Sequence, residues 1–369
     1  MRHRYAGKWL HSAELSRVSK AKPFLPLAFL AMLLLLDGCG STHHHFLYAV
    51  GTNSESIFGF EEASGGVLSK ISGSPFSTGS VPTAVAVTPS RAYAYVLSSG
   101  GNGILAYTFD KSKGGLVAAA GAVGTGSGPV AITIDPSSQH VYVLNQGSSN
   151  ISAYSIDAFN GTLTPISGSP FASINGSASM AMSEKGDLLY VVSPTQGIAS
   201  FSIKSDGTLS AAQAAIPAGT SPAFVIVTAG DRFVYVADAA GNAVVGFNVS
   251  GTALTPISNG TFAAGNTPIA LAADAQGKFL FVANQASNNI SAFAIGSGGA
   301  LTQVPGSPFG AGAAPTFLIV NHDDDHLYVA DRDSGDIGSF SISGSGSLTA
   351  ASGSPITLGL APVWVAVTD

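Results

Sequence analysis

An all-β, seven-bladed β-propeller with four antiparallel strands per blade is the fold this chain predicts, and three observations predict it. An aromatic residue opening a short hydrophobic run, usually as an aromatic–Val pair, recurs at Tyr48, Tyr95, Tyr142, Tyr190, Tyr235, Phe281 and Tyr328, with gaps of 47, 47, 48, 45, 46 and 47 residues. A proline stands thirteen residues before five of these positions, at Pro82, Pro129, Pro222, Pro268 and Pro315, and Ser177 fills that slot before Tyr190. The ends are complementary: Pro362 opens a last run that no Tyr-Val run follows, whereas Tyr48 has no proline segment before it. A period in this range, with several short strands per unit, marks a propeller rather than a helical array. Pairing the C-terminal strand with the three N-terminal strands completes a seventh blade and leaves no unpaired sheet edge at the seam.

Each element of one unit has a local cause. From Pro268, residues 269–275 form a small-residue strand, Gln276-Gly277-Lys278 a turn, 279–285 a second strand, 286–289 a turn, 290–296 a third strand, 297–300 a turn and 301–309 the fourth. Gly, Asn and Ser punctuate every reversal. The first strand is Ala-rich because the ring is crowded near its axis. Gly-Ser-Pro-Phe, at Gly73–Phe76, Gly168–Phe171 and Gly306–Phe309, with Gly353-Ser354-Pro355-Ile356 as a variant, reads as the turn leaving the outer strand. Its phenylalanine is expected to wedge between blades.

Residues 1–39 differ in kind. Arg2, Arg4, Lys8, Arg17, Lys20 and Lys22 precede the apolar run 23–36, which is short for a membrane span and ends at Asp37-Gly38-Cys39. Leu36-Asp37-Gly38-Cys39 resembles the bacterial lipoprotein cleavage box, whose cysteine is lipidated. The expected organisation is a lipoprotein-type signal peptide over 1–39, a tether over 40–45 and the propeller over 46–369. Cleavage there leaves nine basic residues (15 minus 6) and nineteen acidic ones (21 minus Glu14 and Asp37), a net charge near −10. Such a balance repels nucleic acid and anionic lipid surfaces. Cys39 is the single cysteine, so no internal disulfide forms.

Because the strands alternate in direction, loops before the proline and loops after the Tyr-Val strand share one face, called the top. The two other turns share the bottom. The segments FVANQASNNISAF (281–293), YVLNQGSSNISAY (142–154) and YVADRDSGDIGSF (328–340) resemble the bacterial lactonase-type seven-bladed propellers. That family includes 6-phosphogluconolactonase and a carboxymuconate cyclase, and it shades into the Tyr-Val-Thr-Asn repeat proteins. The resemblance implies Arg and His after the proline on the top loop, with a glutamate nearby. Here Thr83, Val130, Ala223, Ile269, Thr316 and Val363 follow the prolines, so no catalytic residue carries over.

Candidate residues follow from which face they occupy. The plausible top-side bases for a hydrolase are Asp331, Asp333, Asp336, Asp238 and Glu55, with Arg332 to stabilise charge. The amides of Asn145, Gln146, Asn150, Asn284, Gln285, Asn288 and Asn289 sit on two top loops, where they either cap turns or bind a neutral, sugar-like ligand. Phe224, Phe317 and Trp364 stand two residues past their prolines, where other copies carry Ala84, Ala131, Ser179 and Ala270, and offer packing or an aromatic platform for a ring-shaped ligand. The charged loop Asp331–Asp336, the run His322-Asp323-Asp324-Asp325-His326 and the histidines 43–45 read as solvated turns and linker, so no metal and no cofactor are expected. The expected protein is an exported, lipid-anchored monomer on the cell envelope that binds a small sugar-like ligand or an envelope protein. A sugar-lactone hydrolase and a structural surface protein are the alternatives.

The leader makes a direct prediction. Metabolic labelling with a palmitate analogue is expected to mark the wild-type protein and leave Cys39→Ser unlabelled in the soluble fraction; equal membrane association of the two forms rules out lipidation at Cys39.

Overall fold

The computed structural model describes residues 44–368; the expected leader, Cys39 and the tether as far as His43 lie outside the described residues. The described chain forms seven small antiparallel sheets. The innermost strands are Pro82–Val87, Pro129–Ile134, Ser179–Met182, Pro222–Val227, Pro268–Ala273, Pro315–Val320 and Pro362–Val367. In blade 1 the last of these pairs with His45–Gly51 in the register Leu47↔Val367, Tyr48↔Ala366 and Val50↔Trp364, so the ring closes as the two chain ends require.

A recurrent polar position makes the bottom turns. The residue just after each innermost strand (Thr88, Asp135, Ser183, Thr228, Asp274, Asn321 or Thr368) is buried. Its side-chain oxygen accepts backbone N–H groups at the start of the next strand, as when Asp274 accepts from Lys278 and Phe279, both at 2.7 Å. These side chains satisfy donors that the turn would otherwise bury unpaired. Thr368 makes the same bond across the closure, taking the N–H of Phe46 at 3.0 Å. The seam therefore reproduces the geometry of a continuous blade.

Two expectations are corrected. Blade 4 has three strands, and its outer segment is reduced to the isolated bridges Ile203↔Leu209 and Ile198↔Ile216, because the intervening Ser-Ala-Ala-Gln-Ala-Ala run has low strand propensity. The Gly-Ser-Pro-Phe turn interrupts the outer strand instead of leaving it. Leu163–Pro165 and Phe171–Ala172 both pair with Asn150–Ile156, and between them Ser169 Oγ accepts the N–H of Ala153 at 2.9 Å. Ser74, Ser307 and Ser354 do the same for Gly59, Ala292 and Ser339.

The core is distributed as seven clusters, each shared by two adjacent blades. At four interfaces the marker tyrosine donates its hydroxyl to a glycine carbonyl of the following blade: Tyr48 to Gly114, Tyr95 to Gly161, Tyr142 to Gly207 and Tyr235 to Gly299, at 2.5 to 2.9 Å. Burial pushes these phenols well above their ordinary pKa, so each remains a neutral donor. In blades 4 and 7, Ser200 and Ser339, directly across from Tyr190 and Tyr328, reach the neighbouring carbonyl instead. The hydroxyl of Tyr190 is consequently buried without a partner, and that of Tyr328 turns to Glu62 of the first blade.

The accepting glycine is required twice over. Gly114 has φ +67°, and a Cβ there would lie 2.5 Å from the ring of Phe46. We expect Tyr48→Phe to cost about 1 kcal/mol, the net worth of one buried hydrogen bond. Gly114→Ala is expected to cost more, on the order of 2–4 kcal/mol, since it adds strain and a steric clash. Urea midpoints check the order; equal midpoints for both variants and wild type contradict it.

Candidate functional site

The innermost strands surround an axial channel, and its top end is filled. Phe224 and Phe317 meet edge to face with centroids 5.8 Å apart, and Phe317 stacks on Trp364 at 4.2 Å. Trp364 Nε1 donates to the carbonyl of Val85 at 3.0 Å, which fixes the indole. Below this aromatic floor lies a cavity of about 520 Å³, walled by side chains that include Met180, Met182, Ile226, Leu271 and Ile319, and reaching Glu184 and Asp274 at the bottom turns. A second recess of about 240 Å³ adjoins the floor beside Ala86, Ile134 and Ala366. Both acids at the rim already hold backbone: Glu184 accepts the N–H of Gly230, and Asp274 caps its own turn. Walls that are mainly apolar, with two carboxylates at the rim, disfavour an anionic guest, whose charge would lose its hydration without a counter-ion.

The top loops place the sequence candidates differently from a ligand-facing ring of polar groups. Asn145 and Asn284 are fully buried. Their Nδ2 groups donate to Asn150 and Asn289 at 2.8 Å and to Ser152 and Ser291 at 2.9 Å, so four of the seven amides form two internal braces. The Asn288 side-chain carbonyl accepts the N–H of Ala314 in the next blade at 2.8 Å. Gln146 is exposed and Gln285 half-buried, and these two remain at the surface. Asp238 is buried and receives the N–H groups of Thr220 and Ser221 at 2.8 and 2.7 Å, which anchors the loop entering its own blade. Arg332 Nε pairs with Asp333 at 2.8 Å in a largely solvated contact, and Glu55 is exposed.

Asp331 and Asp336 are the exception among the acids. They occupy the brace positions held by Asn145 with Asn150 and by Asn284 with Asn289, but Gly338 stands where the other blades supply a serine hydroxyl. Asp331 is 1% exposed, and neither of its carboxyl oxygens makes a well-formed hydrogen bond. Burial, with the charge of Asp336 beside it, pushes its pKa up to about 7, and burial raises Asp336 as well. A charge on either carboxyl group therefore makes the charged form of the other less favourable.

At the bottom of the seam between blades 7 and 1, the run 322–326 meets residues of the first blade. His326 Nδ1 lies 2.7 Å from Asp325 Oδ1 and 3.6 Å from Glu62 Oε1, while Asn321 Nδ2 donates to both carboxylates. His45 lies 3.7 Å from Asp323 and pairs across the ladder with Glu62. Sequence reasoning missed Glu62 and the methionines of the channel. Aligning the repeats would have exposed Glu62, since its slot in the other blades holds Phe109, Ile156, Ile203, Val249, Ile295 and Ile342.

The raised carboxyl predicts a pH dependence. The native state holds the Asp331 proton more tightly than the unfolded chain does, so its contribution is fully present below pH 3.8 and is lost as the pH rises through about 7. Asp331→Asn, which restores the residue used at Asn145 and Asn284, is expected to stabilise the protein at pH 8 by about 2 kcal/mol and to flatten stability between pH 4 and 8. An unchanged slope contradicts the assignment.

A model of the lactonase seven-bladed β-propeller family matches residues 41–174, 168–253 and 208–309. No curated protein matches the chain. Among solved structures, a proposed 6-phosphogluconolactonase from Bacteroides uniformis aligns with TM-score 0.77 at 19% identity over 88% of this chain and 99% of its own. One from Bacteroides fragilis aligns with TM-score 0.76 at 20% identity over 90% and 100%. The periplasmic gluconolactonase PpgL of Pseudomonas aeruginosa aligns with TM-score 0.73 at 17% identity over 88% and 99%. Identities this low carry the fold alone. The family match, spanning well over half of the chain, is the firmer result: this protein belongs to the lactonase family of seven-bladed β-propellers.

Proposed function

We propose that the protein is an exported, lipid-anchored binding propeller whose axial channel takes an uncharged, ring-bearing small molecule from the bottom face, with Trp364 at the inner end of the site. The observation that carries this reading is the apolar cavity of about 520 Å³ floored by Phe224, Phe317 and Trp364. A flat ring gains most from stacking against such a floor, and flexible Met180 and Met182 let the wall adapt to its outline. The top face supports the same reading from the other side. Its acids and amides are largely spent on bracing loops, and Arg332 is matched by Asp333.

A second reading, hydrolysis of a sugar lactone, is favoured by the family and by the near-neutral carboxyl of Asp331. Against it stands the burial of that carboxyl, which keeps it from a substrate. Ring opening also needs an oxyanion stabiliser, and the arginine of the same loop is already paired.

Trp9 and Trp364 are the only tryptophans, so removal of the leader leaves Trp364 as the sole tryptophan, which can be excited apart from the tyrosines. The neutral hydrophobe N-phenyl-1-naphthylamine is expected to quench Trp364 on binding. Ala273→Phe, which fills the channel wall, is expected to weaken that binding at least tenfold. Equal quenching in the variant contradicts the channel site, and turnover of glucono-δ-lactone or its 6-phosphate above the buffer rate establishes the hydrolase reading instead.

A further inference from the structure

We infer that Glu62, Asp325 and His326 form a divalent-cation site of the zinc class that ties blade 7 to blade 1 at the ring's closure. One ligand atom from each lies within 4.8 Å of the others. The measured edges, 2.7 Å from His326 Nδ1 to Asp325 Oδ1 and 3.6 Å to Glu62 Oε1, bracket the separation of roughly 3 Å between neighbouring ligands around a metal with bonds near 2.0–2.1 Å. One imidazole and two carboxylates suit a first-row divalent ion such as zinc, whereas calcium prefers a larger set of oxygens.

The repeat supplies the independent reason to treat this cluster as a site. At every other blade interface the residue equivalent to Glu62 is Phe, Ile or Val, and the one equivalent to His326 is Phe46, Tyr93, His140, Leu188, Phe233 or Phe279. An apolar contact has thus been replaced, at this seam alone, by a Glu–His pair whose side chains are only 9% and 6% exposed. Burying such a pair is costly and brings no stability over the hydrophobic contact it displaces. Departures of this kind from an otherwise consistent pattern mark function. Two further polar groups converge here: the fully buried Tyr328 hydroxyl, which interacts with Glu62, and the unpartnered Nδ1 of His45, across the ladder from Glu62.

The cation would replace the proton between His326 Nδ1 and Asp325 Oδ1 and release it to solvent. Asn321, donating to Glu62 at 2.9 Å and Asp325 at 2.7 Å, then orients both carboxylates from behind. The exposed side of the site is Asp325, whose side chain is 57% accessible and gives the ion its path in. Because Glu62 belongs to the first blade and the other ligands to the last, occupancy joins the two ends of the fold.

The test is zinc titration of the full-length, EDTA-stripped protein, followed by calorimetry and thermal unfolding. One zinc per chain is expected, with a midpoint rise of about 2–5 °C at a hundredfold excess over Kd. The double variant Glu62→Ile/His326→Phe restores the residues used in other blades; it is expected to fold and to bind zinc at least tenfold more weakly. Asp325→Ala, at the accessible ligand, is expected to lose binding to the same extent without touching the core. His44→Ala, beside the site but outside it, is expected to keep it. Zinc bound equally well by the Glu62 and Asp325 variants, binding lost in His44→Ala, or no stoichiometric binding to wild type overturns the inference.

Discussion

The fold depends on one repeated constraint: each blade must seat a ring side chain and, where a tyrosine is free to do so, a buried hydroxyl on the glycine backbone of the next. No blade holds a complete core, since every hydrophobic cluster is built by two neighbours. A lone blade would leave apolar residues on both its faces in water, and the ring removes the problem by giving each sheet two covered faces. Closure then matters more than any single contact. The bond from Phe46 N–H to Thr368 Oγ1 and the ladder from Leu47 to Val50 hold the last interface shut.

That constraint explains why so little ionic chemistry is left for a site. Polar residues at the top and bottom turns hold neighbouring backbone: Asp238 draws in the loop before its own blade, Asn288 straps the blade after it, and Glu184 bridges to Gly230. What remains distinctive is where blades depart from the shared pattern. Three aromatics replace small residues at the channel floor, two acids replace the amide brace at Asp331 and Asp336, and Glu62 replaces an apolar side chain at the seam. Of these three departures, the aromatics stand over a cavity of about 520 Å³.

Much of this was legible in the sequence because repetition makes it so. The period, the proline slot and the mismatched ends specified the blade count and the closure, and the bulk of Phe224, Phe317 and Trp364 against Ala84, Ala131 and Ala270 pointed to the channel. The amides of Asn145 and Asn284 were not legible, since an asparagine that braces a hairpin and one that binds a sugar look alike in a single chain; the deciding facts are the 2.9 Å contacts to Ser152 and Ser291. The seam was hidden for a different reason. Asn321 meets Glu62 across 259 positions of sequence, a distance no local motif can bridge. Blade 4's missing outer strand was obscured by the regular spacing of its neighbours, although its Ala-rich composition carried the signal.

Removal of the final strand tests the central claim most directly. A chain ending at Ala361 lacks the innermost strand of blade 1, the Thr368 cap and the Trp364 floor together, while all other blades keep their full sequence. The account predicts that this chain loses its single cooperative unfolding transition and exchanges its amide protons rapidly around the whole ring. A truncated chain that unfolds in one transition near the wild-type midpoint would contradict it.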